Sequence, residues 1–429
     1  MAAELEERFF ETNRAQLLRW LPWLHLFRAF RIALDPRKLV LGALAAFVLV
    51  QGDRLIDALP FAPAPGARSE SSPVHLHDTY VQGFGVELKA DSIPFTDRGD
   101  RWPRVLSPLQ TIIEPGRSLF EPGNTWAEAA YHWTRLLFHL ALWSLLGAAI
   151  ARMAAVQLAH RESQTARSAL RFAVVRFNST MGAPLLPLLF VGAFWLICVV
   201  LGLVGRVPGI GPILAGALWF LPLLIGVALA VMLLVIGLSW PLMVATISTE
   251  GTDAFDGLSR GYDYALNRTW YALWLLLLMV VYGTIVLTFA THIANTGAQL
   301  ASWAVASGMG ADHVRQELMT RPPVLLGDPA SFAESTPNTI AGSALSFWLQ
   351  VFAWLLEGFA ISFFWTAATI IYFLLRLSLD AKPLDHIFMP AAQPNGQTLP
   401  LVGIPAAEHR QAGRQASEGD AGTEPTSAS

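Results

Sequence analysis

Six long apolar runs constrain this chain more than any other feature. They fall at about residues 37–59, 127–151, 182–204, 213–240, 270–293 and 346–376. Each approaches the roughly 20 residues with which a helix crosses about 30 Å of hydrocarbon. In lipid the backbone must satisfy its own polar groups, so such runs predict helices rather than open sheet. Composition agrees: 54% of residues are hydrophobic and 14% charged, against about 25% charged in a soluble domain. The fold class expected is an all-α polytopic transmembrane helix bundle of about six spans. The first span is the weakest, because Leu39 to Val50 is too short to cross alone. It succeeds only if the helix continues through Gln51, Asp53, Arg54 and Asp57.

The domain organisation can be read from these runs. Residues 1–36 form a cytoplasmic, interfacial amphipathic segment and 37–379 the bundle, with outer loops at 60–126 and 309–345. Residues 380–429, rich in Ala, Gly, Pro, Gln and Ser, lack the apolar content to bury a core and are expected to be a disordered cytoplasmic tail. The first 35 residues carry recurring arginines and no cleavage site after an isolated apolar core, so they are not read as a secretory signal.

Arginine placement sets the expected sidedness. Arg28, Arg31, Arg37 and Lys38 precede the first span; Arg152, Arg161, Arg167, Arg171 and Arg176 fill the link after the second; Arg260 and Arg268 come after the fourth, and Arg376 and Lys382 after the sixth. All these segments fall on one side, read as the cytoplasm, with both termini inside a cell (inner) membrane. Only Lys38, Lys89 and Lys382 are lysines among 29 basic residues, a bias that reads as GC-rich and bacterial.

Two of the arginine-bearing links show helical periodicity. In Asp253 to Leu266 the apolar residues Ala254, Phe255, Leu258, Tyr262, Ala265 and Leu266 line one face, and Asp256, Ser259, Arg260 and Asp263 the other. Ala166, Ala169, Leu170, Ala173, Val174 and Phe177 repeat the pattern, with Arg167 and Arg171 one turn apart on the polar side. Helices of this kind lie in the interface, apolar face in lipid or against the bundle. Arg167, Arg171 and Arg260 are thus candidate headgroup contacts. Both segments end alike, in Phe177-Asn178-Ser179-Thr180 and Leu266-Asn267-Arg268-Thr269. The expected corner has Asn in the left-handed region and Thr capping the next helix. Leu17 to Leu34, ending at Asp35-Pro36, offers a third copy. Three units of interfacial helix plus transmembrane hairpin would result, a pattern known in transporters and also produced by simple duplication.

Pro241 near the end of a span, Glu250 soon after it, Ala254-Phe255, Ser259, a polar corner and a fresh span at Trp270 form a further pattern. Over about residues 166–282 the chain thereby resembles a loose group of bacterial membrane proteins. These are the membrane domain found ahead of some glycerophosphodiester phosphodiesterases and related membrane families. The resemblance implies a helical membrane domain. Phosphodiesterase activity is not implied, because only 380–429 come after the last span and the serine in Ala254-Phe255-Asp256-Gly257-Leu258-Ser259 falls one place late.

Chemical motifs are sparse. The chain contains no GxSxG, HExxH, GxxxxGK[ST] or CxxC. Its one cysteine, Cys198, lies in an apolar run. In His75-Leu76-His77-Asp78 an extended backbone would put the two imidazoles on one face, a metal pair without a clear third ligand; the favoured reading is solvated loop residues. No catalytic residue, cofactor or metal site is expected, and the net charge of −3 argues against nucleic acid. Ionisable residues inside spans are the functional candidates, since each costs about 2.5 to 3.5 kcal/mol to insert. His139, His292 and Glu357 qualify, and at about 1.5 Å per residue all three fall toward the outer half. Two readings stand. One is a polar pocket opening outward, with Glu357 as a proton or cation site; the other puts Glu357 and His292 at the water interface and has His139 hydrogen-bond a neighbouring helix. Glu357 has apolar neighbours in sequence, so a partner is expected from another span, His292 first and His139 second. The function expected is a non-catalytic membrane scaffold or accessory factor, partnered by membrane lipid and other membrane proteins; the alternative is a transporter or binder of lipid or small solute.

Overall fold

The computed structural model describes residues 20–63, 103–121, 123–309 and 337–388. The His75-Leu76-His77-Asp78 stretch, most of the 309–345 loop and the tail from 389 lie outside these residues. So do the first 19 residues, with the start of the predicted interfacial segment. The chain divides into a unit of residues 1–387 and a second of 388–429, and all the helices belong to the first.

Among the described residues every regular element is helical. A 3-10 turn, Pro22–Phe27, leads into α1 (Arg28–Ala33) and then α2 (Pro36–Asp57); a second 3-10 turn, Arg104–Leu106, leads into α3 (Ser107–Ser118). α4 (Trp126–Leu142) continues through a π turn, Trp143–Gly147, into α5 (Ala148–His160). Then come α6 (Ala166–Val175), α7 (Phe177–Val204), α8 (Ile210–Ala217), α9 (Phe220–Glu250), α10 (Ala254–Asn267), α11 (Thr269–Met309) and α12 (Pro337–Asp380). Among the described residues six helices are long and apolar enough to cross a membrane: Pro36–Asp57, Trp126–His160, Phe177–Val204, Phe220–Glu250, Thr269–Val305 and Val351–Asp380. The first does continue through its charged turn. It starts where Asp35 accepts from the Arg37 amide at 3.0 Å with Pro36 in the first helical position, a cap and a preset φ that favour helix entry. Three run well past their expected ends: the second to His160, the fourth, which starts after a separate α8, to Glu250, and the fifth to Met309.

The two amphipathic links are helices, α6 and α10, and both turn their small residues to the bundle. Ala169 and Ala173 are buried in α6, and Gly257, Gly261, Tyr264 and Ala265 in α10. Thr165 and Asp253 cap them by accepting the Ser168 and Asp256 amides. Their ends correct the expected corner. Asn178 lies inside α7, Asn267 is the last residue of α10, and among the described non-glycine residues only Arg161 and Ala381 have positive φ. The breaks fall instead at Arg176 and Arg268. Each threonine hydroxyl donates backward, Thr180 to the Arg176 carbonyl at 3.0 Å and Thr269 to that of Leu266 at 2.7 Å. A break of one residue redirects the chain without left-handed backbone.

At the arginine-bearing segments, then, a short helix is followed by a long one three times: α1 and α2, α6 and α7, α10 and α11. Two of these short helices pack on the helix just before them, α6 on α5 and α10 on α9, and α1 packs on the last, α12. Helices α5, α9 and α12 pack on one another at the centre. There the burial is continuous, from Leu146 to Val156 and from Gly358 to Arg376. Trp365 stands in the middle, 5.9 Å from the Trp143 ring and 5.3 Å from that of Trp240. α2 lies against α12 at Gly42 and Gly358, where a Cβ on Gly358 would come within 2.5 Å of Ala43 N and Leu39 O. Such close backbone approach is how small residues join helices in a membrane.

Burial is unequal. Val351–Asp380 is wholly buried over its most apolar window and Trp126–His160 is 78% buried, against 11% for Phe177–Val204 and 6% for Phe220–Glu250. The hairpin of α7 and α9 therefore stands out from the bundle as an arm, joined to it through the first turns of α7 and the last turns of α9. Three cations that sequence alone reads as surface markers, Lys38, Arg152 and Arg376, are buried. Lys38 Nζ donates to the Ile32 carbonyl at 2.5 Å and Gln157 Oε1 at 2.6 Å, tying the start of α2 to the end of α5.

The larger departure is in the 60–126 connection, expected to be an outer loop throughout. Its 103–121 part is inserted among the spans. Val105 lies against the position of Gly283 in α11, which also faces Phe363 of α12; Ser107 reaches Glu357 of α12; and Ile113 approaches Gly237 of α9. Both flanks of the connection, Asp57 and Trp126, lie at the end of the bundle away from the arginine-rich links, so α3 is a re-entrant helix. Pro108, Gln110, Thr111 and Pro115 are buried in it.

Candidate polar sites inside the bundle

The first site forms where α2, α3 and α4 meet. Asp53 and Asp57 are one turn apart on α2, and Tyr131, Arg135 and His139 recur at four-residue spacing on α4, so one face of each helix presents the polar groups to the other. Tyr131 donates to Asp57 at 2.6 Å. Arg135 donates from Nε to Asp53 Oδ1 at 3.2 Å and from Nη2 to Oδ2 at 3.3 Å, the forked pairing that fixes a carboxylate plane. His139, wholly buried, places Nε2 2.9 Å from Asp53 Oδ1 and Nδ1 2.7 Å from the Thr111 carbonyl. Thr111 continues the chain of bonds: its hydroxyl accepts from Trp143 Nε1 and donates to the Pro108 carbonyl, both at 2.8 Å. On the other side of Thr111 a small cavity is lined by Ala46, Leu49, Ser107, Trp143, Glu357 and Ile361.

Glu357 is half-buried there and accepts from the Ser107 hydroxyl at 3.4 Å. This corrects the expected pairing with His292. His292 is exposed on α11 and donates from Nδ1 to the Thr288 carbonyl of its own helix at 2.9 Å. His139 belongs with Asp53. Thus two of the three intramembrane candidates flank the re-entrant helix and the third lies apart.

The second site lies at the arginine-rich end, around the last residue of α9. Gly251, at φ 63°, ends that helix in the left-handed region and its amide closes on the Ile247 carbonyl at 2.9 Å, a conformation suited to glycine. The turn leaves Glu250 against α12. Its Oε1 accepts from Tyr372 at 2.7 Å and from Arg376 Nη1 at 3.3 Å, and its Oε2 accepts from Arg260 of α10. Arg260 also donates to Asp256 at 2.9 Å, so this arginine, expected at headgroups, is engaged within the protein. Arg376 directs Nη2 to the Pro383 and His386 carbonyls, at 3.0 and 2.9 Å. Tyr264 donates to Asp380 at 2.7 Å, and burial together with that carboxylate raises its phenol well above the ordinary value. Arg152 Nη1 donates to the Ser248 carbonyl at 3.1 Å, with its guanidinium 4.5 Å from the Phe172 ring of α6. The network joins α5, α6, α9, α10 and α12. Arg167 and Arg171 are exposed on α6.

Asp53, Arg135 and Thr111 escape a reading of the sequence because their partners are 28 to 86 residues away. The available signals were the four-residue spacing of Tyr131, Arg135 and His139 and a Ser-Pro helix start at Ser107-Pro108. Among the described residues no group of three or more His, Cys, Asp or Glu side chains is placed to hold a metal ion.

Fold and sites together define an all-α, multi-pass membrane protein with charged networks at two levels of its bundle. No family model, no curated protein and no solved structure matches the chain.

Proposed function

We propose that the protein is a membrane scaffold or accessory factor without catalytic activity, seated in the inner membrane of a bacterium with both termini cytoplasmic. The observation that carries this reading is the contrast between a core tied together by buried charge networks and the α7–α9 arm, whose most apolar windows are only 11% and 6% buried. A rigid core with a long lipid-facing arm offers flanks to other membrane proteins and moves little itself. Sidedness rests on arginine placement, and the exposed Arg167 and Arg171 fit anionic headgroups beside Val174 and Val175, which are exposed as well. The resemblance over 166–282 to phosphodiesterase-associated membrane domains is likewise a proposal and supports a membrane role only. The second reading, a transporter or binder of lipid or small solute, is favoured by the re-entrant helix and the polar groups around it.

Photo-crosslinking residues at Phe194 and Leu224, both exposed on the arm, separate the two. The scaffold reading predicts discrete protein adducts at these positions in native membranes, absent when the crosslinker sits at buried Leu275. Adducts with lipid alone would overturn it in favour of the second.

A further inference from the structure

We propose that His139 and Asp53 together hold one exchangeable proton within the bundle, and that this proton latches the re-entrant helix α3 to the first two spans. A count of donors leads there. A neutral imidazole has one N–H and one lone pair. Here both ring nitrogens face oxygens: the Thr111 carbonyl at 2.7 Å, which can only accept, and Asp53 Oδ1 at 2.9 Å. Two bonds of this length need two protons, so His139 and Asp53 jointly carry one more than a neutral ring beside a carboxylate. The extra proton belongs to the pair, whichever atom it is nearer.

Its surroundings decide which bond breaks when it leaves. On α4, Arg135 binds both oxygens of Asp53, and Tyr131 engages Asp57 one turn along α2. His132 is also on α4, and α3 contributes Glu114, close enough to act electrostatically on Arg135. Glu357 of α12 faces the same stretch of α3 through Ser107. With one proton left, the ring can donate to only one of its two oxygens. The Asp53 carboxylate is charged and the Thr111 carbonyl is not, so the remaining N–H is drawn to Asp53. The bond lost is the one to Thr111, the tie between α4 and the re-entrant helix. The latch is closed at low pH and opens as pH rises through the titration of the pair.

The substitution Asp53→Asn separates this account from simple packing. A side-chain amide can donate to Nε2 of a neutral ring while Nδ1–H still donates to Thr111, so both contacts survive without the extra proton. The experiment uses the full chain in lipid nanodiscs with ¹⁵N-labelled histidine. The His139 resonances are assigned by their absence in His139→Gln, and amide exchange of 107–118 is referenced to that of α10 to remove the intrinsic pH dependence. The proposal expects two protonated ring nitrogens on His139 at the acid end of a pH series. Where the second proton is lost along that series, protection of 107–118 should fall roughly tenfold or more, and Asp53→Asn should abolish that change while keeping the protection. A singly protonated His139 throughout the range would overturn it. So would protection that does not track the titration in wild type, a readout that stands even if Asp53→Asn fails to fold. Equal pH dependence in Asp53→Asn and wild type would overturn it too.

Discussion

Glu250→Ala should destabilise the protein by about 3 to 5 kcal/mol, the range for removing one partner from a buried charge pair. The cost arises less from lost attraction than from what remains. Arg376 and Tyr372 are fully buried, and Glu250 is the carboxylate that accepts from both, as well as from Arg260. Without it a guanidinium stays in the core with two backbone carbonyls and the Tyr372 and Phe373 rings for partners. Glu250→Gln keeps an acceptor oxygen and removes the charge, so its cost should be smaller, about 1 to 3 kcal/mol. Denaturant unfolding in mixed micelles, monitored by the fluorescence of the central tryptophans, measures both. Equal, small effects would show that the network does not hold the three returning helices together.

Gly358→Leu should be the most damaging single change on the α2 contact. A Cβ there meets Leu39 O and Ala43 N at 2.5 Å. These are backbone atoms, which cannot rotate away as a side chain would, so α2 has to separate from α12. Overpacking ordinarily costs about 1 to 3 kcal/mol; loss of this contact should take the change to the top of that range or past it. Gly42→Leu acts on the same contact, since its Cβ would collide with the Gly358 carbonyl. The double variant should therefore fall well short of the sum of the two. By contrast Gly226→Leu, on the arm, has nothing within 4 Å of the added Cβ and should be close to neutral by the same unfolding measurement.

How much of this was legible in the sequence depends on the range of the interactions. The spans and the amphipathic α6 and α10 are encoded locally, by apolar run length and by spacing of three and four, and their positions could be read directly. The stretch between Trp240 and Trp270 illustrates the limit. Its charged residues and glycine mark the end of α9 and the start of α10, but that Gly251 turns Glu250 toward Arg376, 126 residues on, is a property of the packed bundle. Lys38, Arg152 and Arg376 count as positive charge in a linear reading and become buried donors in the fold, because each finds acceptors on a helix distant in sequence or on a later turn of chain. The re-entrant helix was missed for another reason. A stretch of twelve residues, with Gln110, Glu114 and Arg117 among them, is too short and polar to resemble a span, and a helix whose polar groups Gln110 and Thr111 are buried against protein need not satisfy lipid with them. The asparagines at the two corners look like left-handed caps by type, yet a one-residue break at an arginine performs the turn without positive φ.

The insertion of residues 103–121 among the spans is what both the polar site and the proton latch depend on, and it can be tested by a single crosslink. Val105 Cβ lies 3.3 Å from where a Cβ on Gly283 would be, near the separation of about 3.5 to 4.5 Å that a disulfide spans. With Cys198, the chain's one cysteine, replaced by serine, Val105→Cys with Gly283→Cys should form an intramolecular disulfide on mild oxidation in native membranes. The pair Val105→Cys with Ile285→Cys, which places the second thiol on the exposed face of α11, should not. A disulfide in the first pair and none in the second is the predicted result; no disulfide in the first, or equal formation in both, would place this segment outside the bundle and contradict the account.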